Sequence, residues 1–170
     1  MGRERRTAGF SLVETVISGA VLALLAGAVL SATTAAADRR QDAAVRARAN
    51  QLAHDLLGEM RRLAYGDPTS TGGEPLGPEA GESDRSAFDD VDDFDGYKEE
   101  PIADASGVEL SGFEGFARRV SVIWITPEDR TSPAAGDVGL KRVTVWVTHA
   151  GKPMAEVSAE FTHAWEGAWR

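Results

Sequence analysis

The feature that most constrains this chain is a run of 23 residues without a charge, Thr15 to Ala37, directly after a basic start. A helix needs about 20 predominantly apolar residues to cross a bilayer, so the run is long enough to span one. Before it, Met1 to Gly9 carries Arg3, Arg5 and Arg6 against Glu4, a balance that holds such a segment on the cytoplasmic side of a membrane. The apolarity is modest: eight of the 23 are Val, Ile or Leu, and most of the rest are Ala, Gly, Ser and Thr. At about −0.3 to −0.6 kcal/mol per large aliphatic residue, insertion gains about −2 to −5 kcal/mol. A carboxylate at mid-bilayer costs about +2.5 to +3.5 kcal/mol and less near an end, so Glu14 offsets much of that gain. A buried Glu at the start of a marginal anchor calls for a cationic partner.

Gly9-Phe10-Ser11-Leu12-Val13-Glu14, followed at once by the apolar run, resembles the processing motif of type IV prepilins and of the pseudopilins of type II secretion. That motif is Gly, an aromatic or Met, a small hydroxyl residue, Leu, an aliphatic residue and Glu, and every position matches. The resemblance implies cleavage between Gly9 and Phe10 by a prepilin peptidase/N-methyltransferase, with methylation of the new Phe10 amine. It further implies that Glu14 pairs with that amine on a neighbouring pilin or pseudopilin subunit, which supplies the missing cation. The subunit would sit single-pass in the bacterial inner membrane, its C-terminal part outside the cytoplasm, and then enter a periplasmic or extracellular filament. Many members carry a helix-breaking proline partway along this segment, and this chain has none before Pro68. A rival reading is an ordinary secretory signal with Ala35-x-Ala37 as its small-residue cleavage site, releasing a soluble binding domain from Asp38. A third is a membrane-tethered adhesin or sensor.

Gly19, Ala23, Gly27, Ser31 and Ala35 recur every four residues, so they share one helix face and would let a second helix approach closely. Small residues are also simply common in membrane helices, and both readings stand. Past Asp38 the helical period continues through Val45, Ala49, Leu52, Leu56, Met60 and Leu63, with a charged face between. One helix is therefore expected from about Ser11 to Ala64, roughly 80 Å at about 1.5 Å per residue. Gly66-Asp67-Pro68 ends it, because a residue before proline avoids helical geometry.

The middle of the chain is acidic. From Asp67 to Glu114 fifteen Asp or Glu stand against Arg85 and Lys98, a local charge of −13 beside −9 for the whole chain. Nucleic acid is thereby excluded as an expected partner, since phosphate binding needs a basic face. Thr69 to Ser83, rich in Gly, Pro, Thr and Glu, reads as an extended loop. In Ala87 to Tyr97 carboxylates alternate with Phe88, Val91, Phe94 and Tyr97, as in a turn-rich segment pinned by aromatics; the run also resembles a stretch of some minor pilin-like proteins. Asp89, Asp90, Asp92, Asp93 and Asp95 are candidate ligands for a structural calcium, a hard cation that takes carboxylate oxygens. The EF-hand template does not fit: with its glycine on Gly96, Val91 falls on the first ligand position and no Glu on the last. A solvated acidic loop is the other reading, and no other cofactor is expected.

From Ala117 the period changes to two. Arg119 to Thr126, Lys141 to His149 and Met154 to His163 are rich in β-branched and aromatic residues and read as strands. Val143, Val145 and Val147 share a face; Ala155, Val157, Ala159 and Phe161 oppose Glu156, Ser158 and Glu160. The short Ala150-Gly151-Lys152-Pro153 link suits an antiparallel hairpin. The expected fold class is α+β: a long N-terminal helix, half transmembrane and half amphipathic, packed on a C-terminal antiparallel sheet, as in pilins. The expected division is a leader 1–9, an assembly helix 10–37, its amphipathic extension 38–65, an acidic loop region 66–116 and a sheet 117–170. Without cysteine there is no disulfide or thiolate metal site. His54, His149 and His163 lack metal-ligand spacing, and Trp124, Trp146, Trp165 and Trp169 read as core and rim aromatics. No enzymatic machinery is expected; the chain reads as a minor subunit whose task is assembly.

Overall fold

A computed structural model describes residues 11–68 and 75–163. The layout is α+β: one long helix, α1 (Leu12–Met60), and a four-stranded antiparallel sheet of β1 (Lys98–Glu99), β2 (Phe116–Trp124), β3 (Leu140–His149) and β4 (Lys152–Thr162), in that spatial order. Two compact units divide the chain, Met1–Ala43 and Ala44–Arg170.

In the first unit α1 is exposed along its whole apolar length, with Leu12 and Leu24 at 81% and 75%. By length and composition this helix can cross a membrane: an 18-residue window reaches a mean hydropathy of 2.1 and none of it is buried. Four of its hydroxyls suit an apolar surrounding. Thr15 donates to Ser11 O (3.0 Å), Ser31 to Ala28 O (3.0 Å), and Thr33 and Thr34 to carbonyls one turn back. Each is thus satisfied inside the helix, where lipid offers no partner.

In the second unit the rest of α1 buries Ala49, Leu52, Ala53, Leu56, Leu57 and Met60 against Val120, Val122, Val143, Val145, Val147 and Phe161 of the sheet. The stripe is wider than the expected one because Ala53 and Leu57 join it, giving the broad apolar face that a helix on a sheet needs. Val45 and Leu63 flank this core, half-buried. The helix stops at Met60 rather than Ala64. Arg62 and Leu63 bond back three residues, to Glu59 O (2.9 Å) and Met60 O (3.1 Å), and Ala64 then exchanges backbone bonds with Asp89 O and Val91 N–H. The acidic segment captures the backbone that would have continued the helix.

The three expected strands are present with shifted ends, starting at Phe116, Leu140 and Lys152. Val145 pairs with Val120 on one side and Val157 on the other, so the apolar parity of all three strands faces α1. The β3–β4 hairpin closes through Ala150 and Gly151, both at positive φ (49° and 73°), the two-residue geometry that matches strand twist. The short β1, inside the region expected as loop, pairs Lys98 with Arg119 and Glu99 with Arg118.

Candidate functional site

Gly9 and Phe10 lie outside the described residues, as do the leader and Trp165 and Trp169. The helix start they precede is described. Ser11 caps it: its Oγ accepts the Glu14 N–H at 3.3 Å, and its carbonyl accepts from Glu14 N–H (3.0 Å) and Thr15 N–H (3.2 Å). Ser-x-x-Glu at a helix start is the capping-box spacing, and a carboxylate in the first turn also complements the helix dipole. Ser11 and Glu14 therefore have a local structural task in addition to the one implied by the processing motif, a signal readable in the sequence and missed there. Gly19 and Gly27 have nothing within 4 Å of where a Cβ would project, and Ala23 is likewise exposed, so the small-residue face is open along this part of α1.

The aspartate run divides. Asp92, in the 3-10 turn Asp92–Phe94, faces the buried Lys141 ammonium at 2.5 Å, and Asp95 Oδ1 accepts the Val122 N–H at 2.8 Å. These two tie the acidic segment to β3 and β2. Burial pushes the Asp92 carboxyl up in spite of Lys141. Asp90 and Asp93 are buried instead against each other, and each spends one oxygen on the turn. Asp90 Oδ1 accepts from Asp92 N–H (2.5 Å) and Asp93 N–H (3.2 Å), while Asp93 Oδ2 accepts from Asp89 N–H (2.9 Å) and Asp90 N–H (3.1 Å). Among the described residues their other oxygens, Asp90 Oδ2 and Asp93 Oδ1, have no hydrogen-bond partner, nor has the buried Glu79 Oε2.

One carboxylate oxygen from each of Glu79, Asp90 and Asp93 lies within 4.8 Å of the other two, and Glu82, the exposed Asp89 and Asp93 make a second such group. Burial is the leading cause that pushes Glu79 to about 8, Asp90 to about 7 and Asp93 to about 6, with the neighbouring carboxylates adding to it. Glu79 and Glu82 were not singled out in the sequence. Their approach depends on the loop returning to the turn, where Gly77 N–H donates to Asp92 O (3.1 Å) and Glu79 N–H to Glu82 Oε2 (3.1 Å).

A second buried charge network lies beside β1. Arg118 binds Glu99 and donates to Ala103 O (3.0 Å); Arg85 binds Glu59, Glu99 (2.9 Å) and Ala103 O (3.0 Å). The histidines sit apart: His54 is exposed on α1, His149 stacks on Phe116 (4.5 Å) and His163 on Tyr65 (4.0 Å). Trp146 carries the Arg119 guanidinium 4.5 Å above its ring, and Trp124 is half-buried. Compared with known proteins, the chain matches no family model, no curated sequence and no solved structure.

Proposed function

We propose that this chain is a structural subunit, a minor pilin or pseudopilin, of a type IV pilus or type II secretion filament. Prepilin peptidase cuts it between Gly9 and Phe10 and methylates the Phe10 amine. Glu14 then pairs with the Phe10 amine of the adjacent subunit, and the face of Gly19, Ala23 and Gly27 packs helix on helix. The observation that carries the reading is the processing motif set directly against an apolar, wholly exposed helix whose continuation packs on an antiparallel sheet. An exposed apolar helix of this length needs lipid or other helices around it. Glu14 stands in the first turn of that helix, and the resemblance to the processing motif is what gives it a neighbour's new N-terminus as partner.

The secretory-signal reading has its own support: every described core residue lies at or beyond Ala49, so a cut after Ala37 would remove none of them. Intact-mass measurement of protein extracted from membranes separates the two. A chain beginning at methylated Phe10 is expected, and one beginning at Asp38 refutes the filament reading. Glu14→Ala is expected to be cut normally yet be missing from sheared filaments; normal incorporation would refute the role given to Glu14.

A further inference from the structure

Carboxylates that meet inside a protein must be neutralised. An ionised carboxylate without a partner costs several kcal/mol when buried, and only a proton or a cation removes that cost. Asp90 is 0% and Asp93 1% exposed, and each aims one unpartnered oxygen away from the turn that fixes the other. Glu79 adds a third such oxygen, and among the described residues no N–H, hydroxyl or ammonium donor reaches any of the three; the Glu79 carboxyl meets only other carboxyls there, those of Asp93 and Glu82. The nearby buried cation is committed elsewhere: Lys141 donates to Tyr65 O (2.6 Å) and pairs with Asp92.

We propose that Glu79, Asp90 and Asp93 form a divalent-cation site of the calcium class, which clamps the segment around Gly77 to Glu82 onto the turn at Asp92–Phe94. The donor set is all oxygen, which selects a hard cation. Oxygens bound to one calcium at about 2.3–2.6 Å stand at most about 5 Å apart, and one carboxylate oxygen from each of these three residues lies within 4.8 Å of the other two. The backbone bonds to Asp90 Oδ1 and Asp93 Oδ2 hold both carboxylates in place before any ion arrives, so little side-chain freedom is lost on binding. Glu82 and Asp89 stand at the edge of the same cluster through Asp93 and add negative potential. This inference does not depend on the filament reading.

The test uses full-length protein in detergent, stripped with a chelator and titrated with calcium chloride by calorimetry, with thermal melts followed by tryptophan fluorescence. One calcium per chain is expected, with a dissociation constant of about 10⁻⁴–10⁻³ M, and a melting midpoint that rises with calcium. Asp90→Asn and Asp93→Asn are expected to weaken binding at least about tenfold, while Glu128→Gln, exposed and outside the cluster, leaves it unchanged. Should either aspartate variant not fold, Glu79→Gln, at the less buried corner, makes the same comparison. No heat of binding and an unchanged melt up to about 10 mM calcium would overturn the site and leave shared protons as what neutralises the cluster. Binding that survives unweakened in the folded variants would overturn it equally.

Discussion

Glu99 and Arg118 are the most heavily buried ion pair beside β1, with side chains 8% and 3% exposed, and their partners make removal of one unlike removal of the other. Replacing Glu99 with Gln leaves the Arg118 guanidinium buried with no carboxylate among the described residues, since its other hydrogen bonds go to the carbonyls of Leu52 and Ala103. Arginine does not lose its proton in a protein, so the charge persists and the cost falls in the range for breaking a buried pair, about 3–5 kcal/mol. Replacing Arg118 with Met is milder. Glu99 keeps Arg85 (2.9 Å) and the Tyr97 hydroxyl (3.0 Å), and Ala103 O keeps Arg85. What is lost is the charge-assisted hydrogen bond to Glu99, about 1.5–3 kcal/mol, with the bonds to the Leu52 and Ala103 carbonyls, which both stay satisfied, Leu52 O inside α1 and Ala103 O by Arg85. Denaturant unfolding of the full-length protein in detergent, followed by tryptophan fluorescence, is expected to place Glu99→Gln about 2 kcal/mol below Arg118→Met. The double variant is expected to be more stable than Glu99→Gln alone, because it removes the stranded guanidinium. An Arg118→Met variant as damaged as Glu99→Gln, or a double variant whose losses simply add, would refute the argument from remaining partners.

Three further outcomes are expected. Leu56, fully buried in the core, should cost about 3–4 kcal/mol as Leu56→Ala, while Leu25→Ala on the exposed span leaves the same unfolding transition in place; equal effects would refute the division between span and core. Ala150 holds φ at 49° in the hairpin, where an L side chain pays about 1–2 kcal/mol and Asn less, so Ala150→Asn should raise stability by about 0.5–1 kcal/mol in thermal unfolding. The Ser132 hydroxyl, with Thr131 Oγ1 and N–H, lowers the exposed Asp129 carboxyl to about 2. Its contribution is therefore full above the ordinary value near 3.8 and is lost as pH falls through about 2. Carbon-detected NMR titration should show that midpoint moving up in Ser132→Ala, and an unmoved midpoint would refute the hydroxyl's role.

The same chain was unevenly legible from its letters, and the reason is physical. Period and parity are local, so the apolar face of α1 from Ala49 to Met60 and the inward set Val143, Val145 and Val147 could be read directly. Contacts made by a returning loop are not local. Glu79 stands eleven residues before Asp90, and nothing in that spacing tells which carboxylates will meet once Gly77 bonds to Asp92 O. The helix end was misplaced for a related reason: propensity extends α1 to Ala64, but the Ala64 backbone is taken by Asp89 and Val91.

Parity nevertheless held a signal that hydrophobicity alone hides. Lys141 shares the face of Val143, Val145 and Val147, and Arg118 shares that of Phe116, Val120 and Val122. A cation at an inward position of a half-buried strand must find an anion from another element, because its desolvation is otherwise uncompensated. The acidic middle supplies both anions: Asp92 for Lys141 and Glu99 for Arg118. Two inward cations thus explain why part of a segment carrying −13 folds against the sheet and is not simply solvated. They account for Asp92 and Glu99 but not for Asp90, Asp93 and Glu79, whose buried oxygens face no cation among the described residues. That remainder makes a bound ion the economical explanation for the cluster, and chelator sensitivity of the melt its most direct measure.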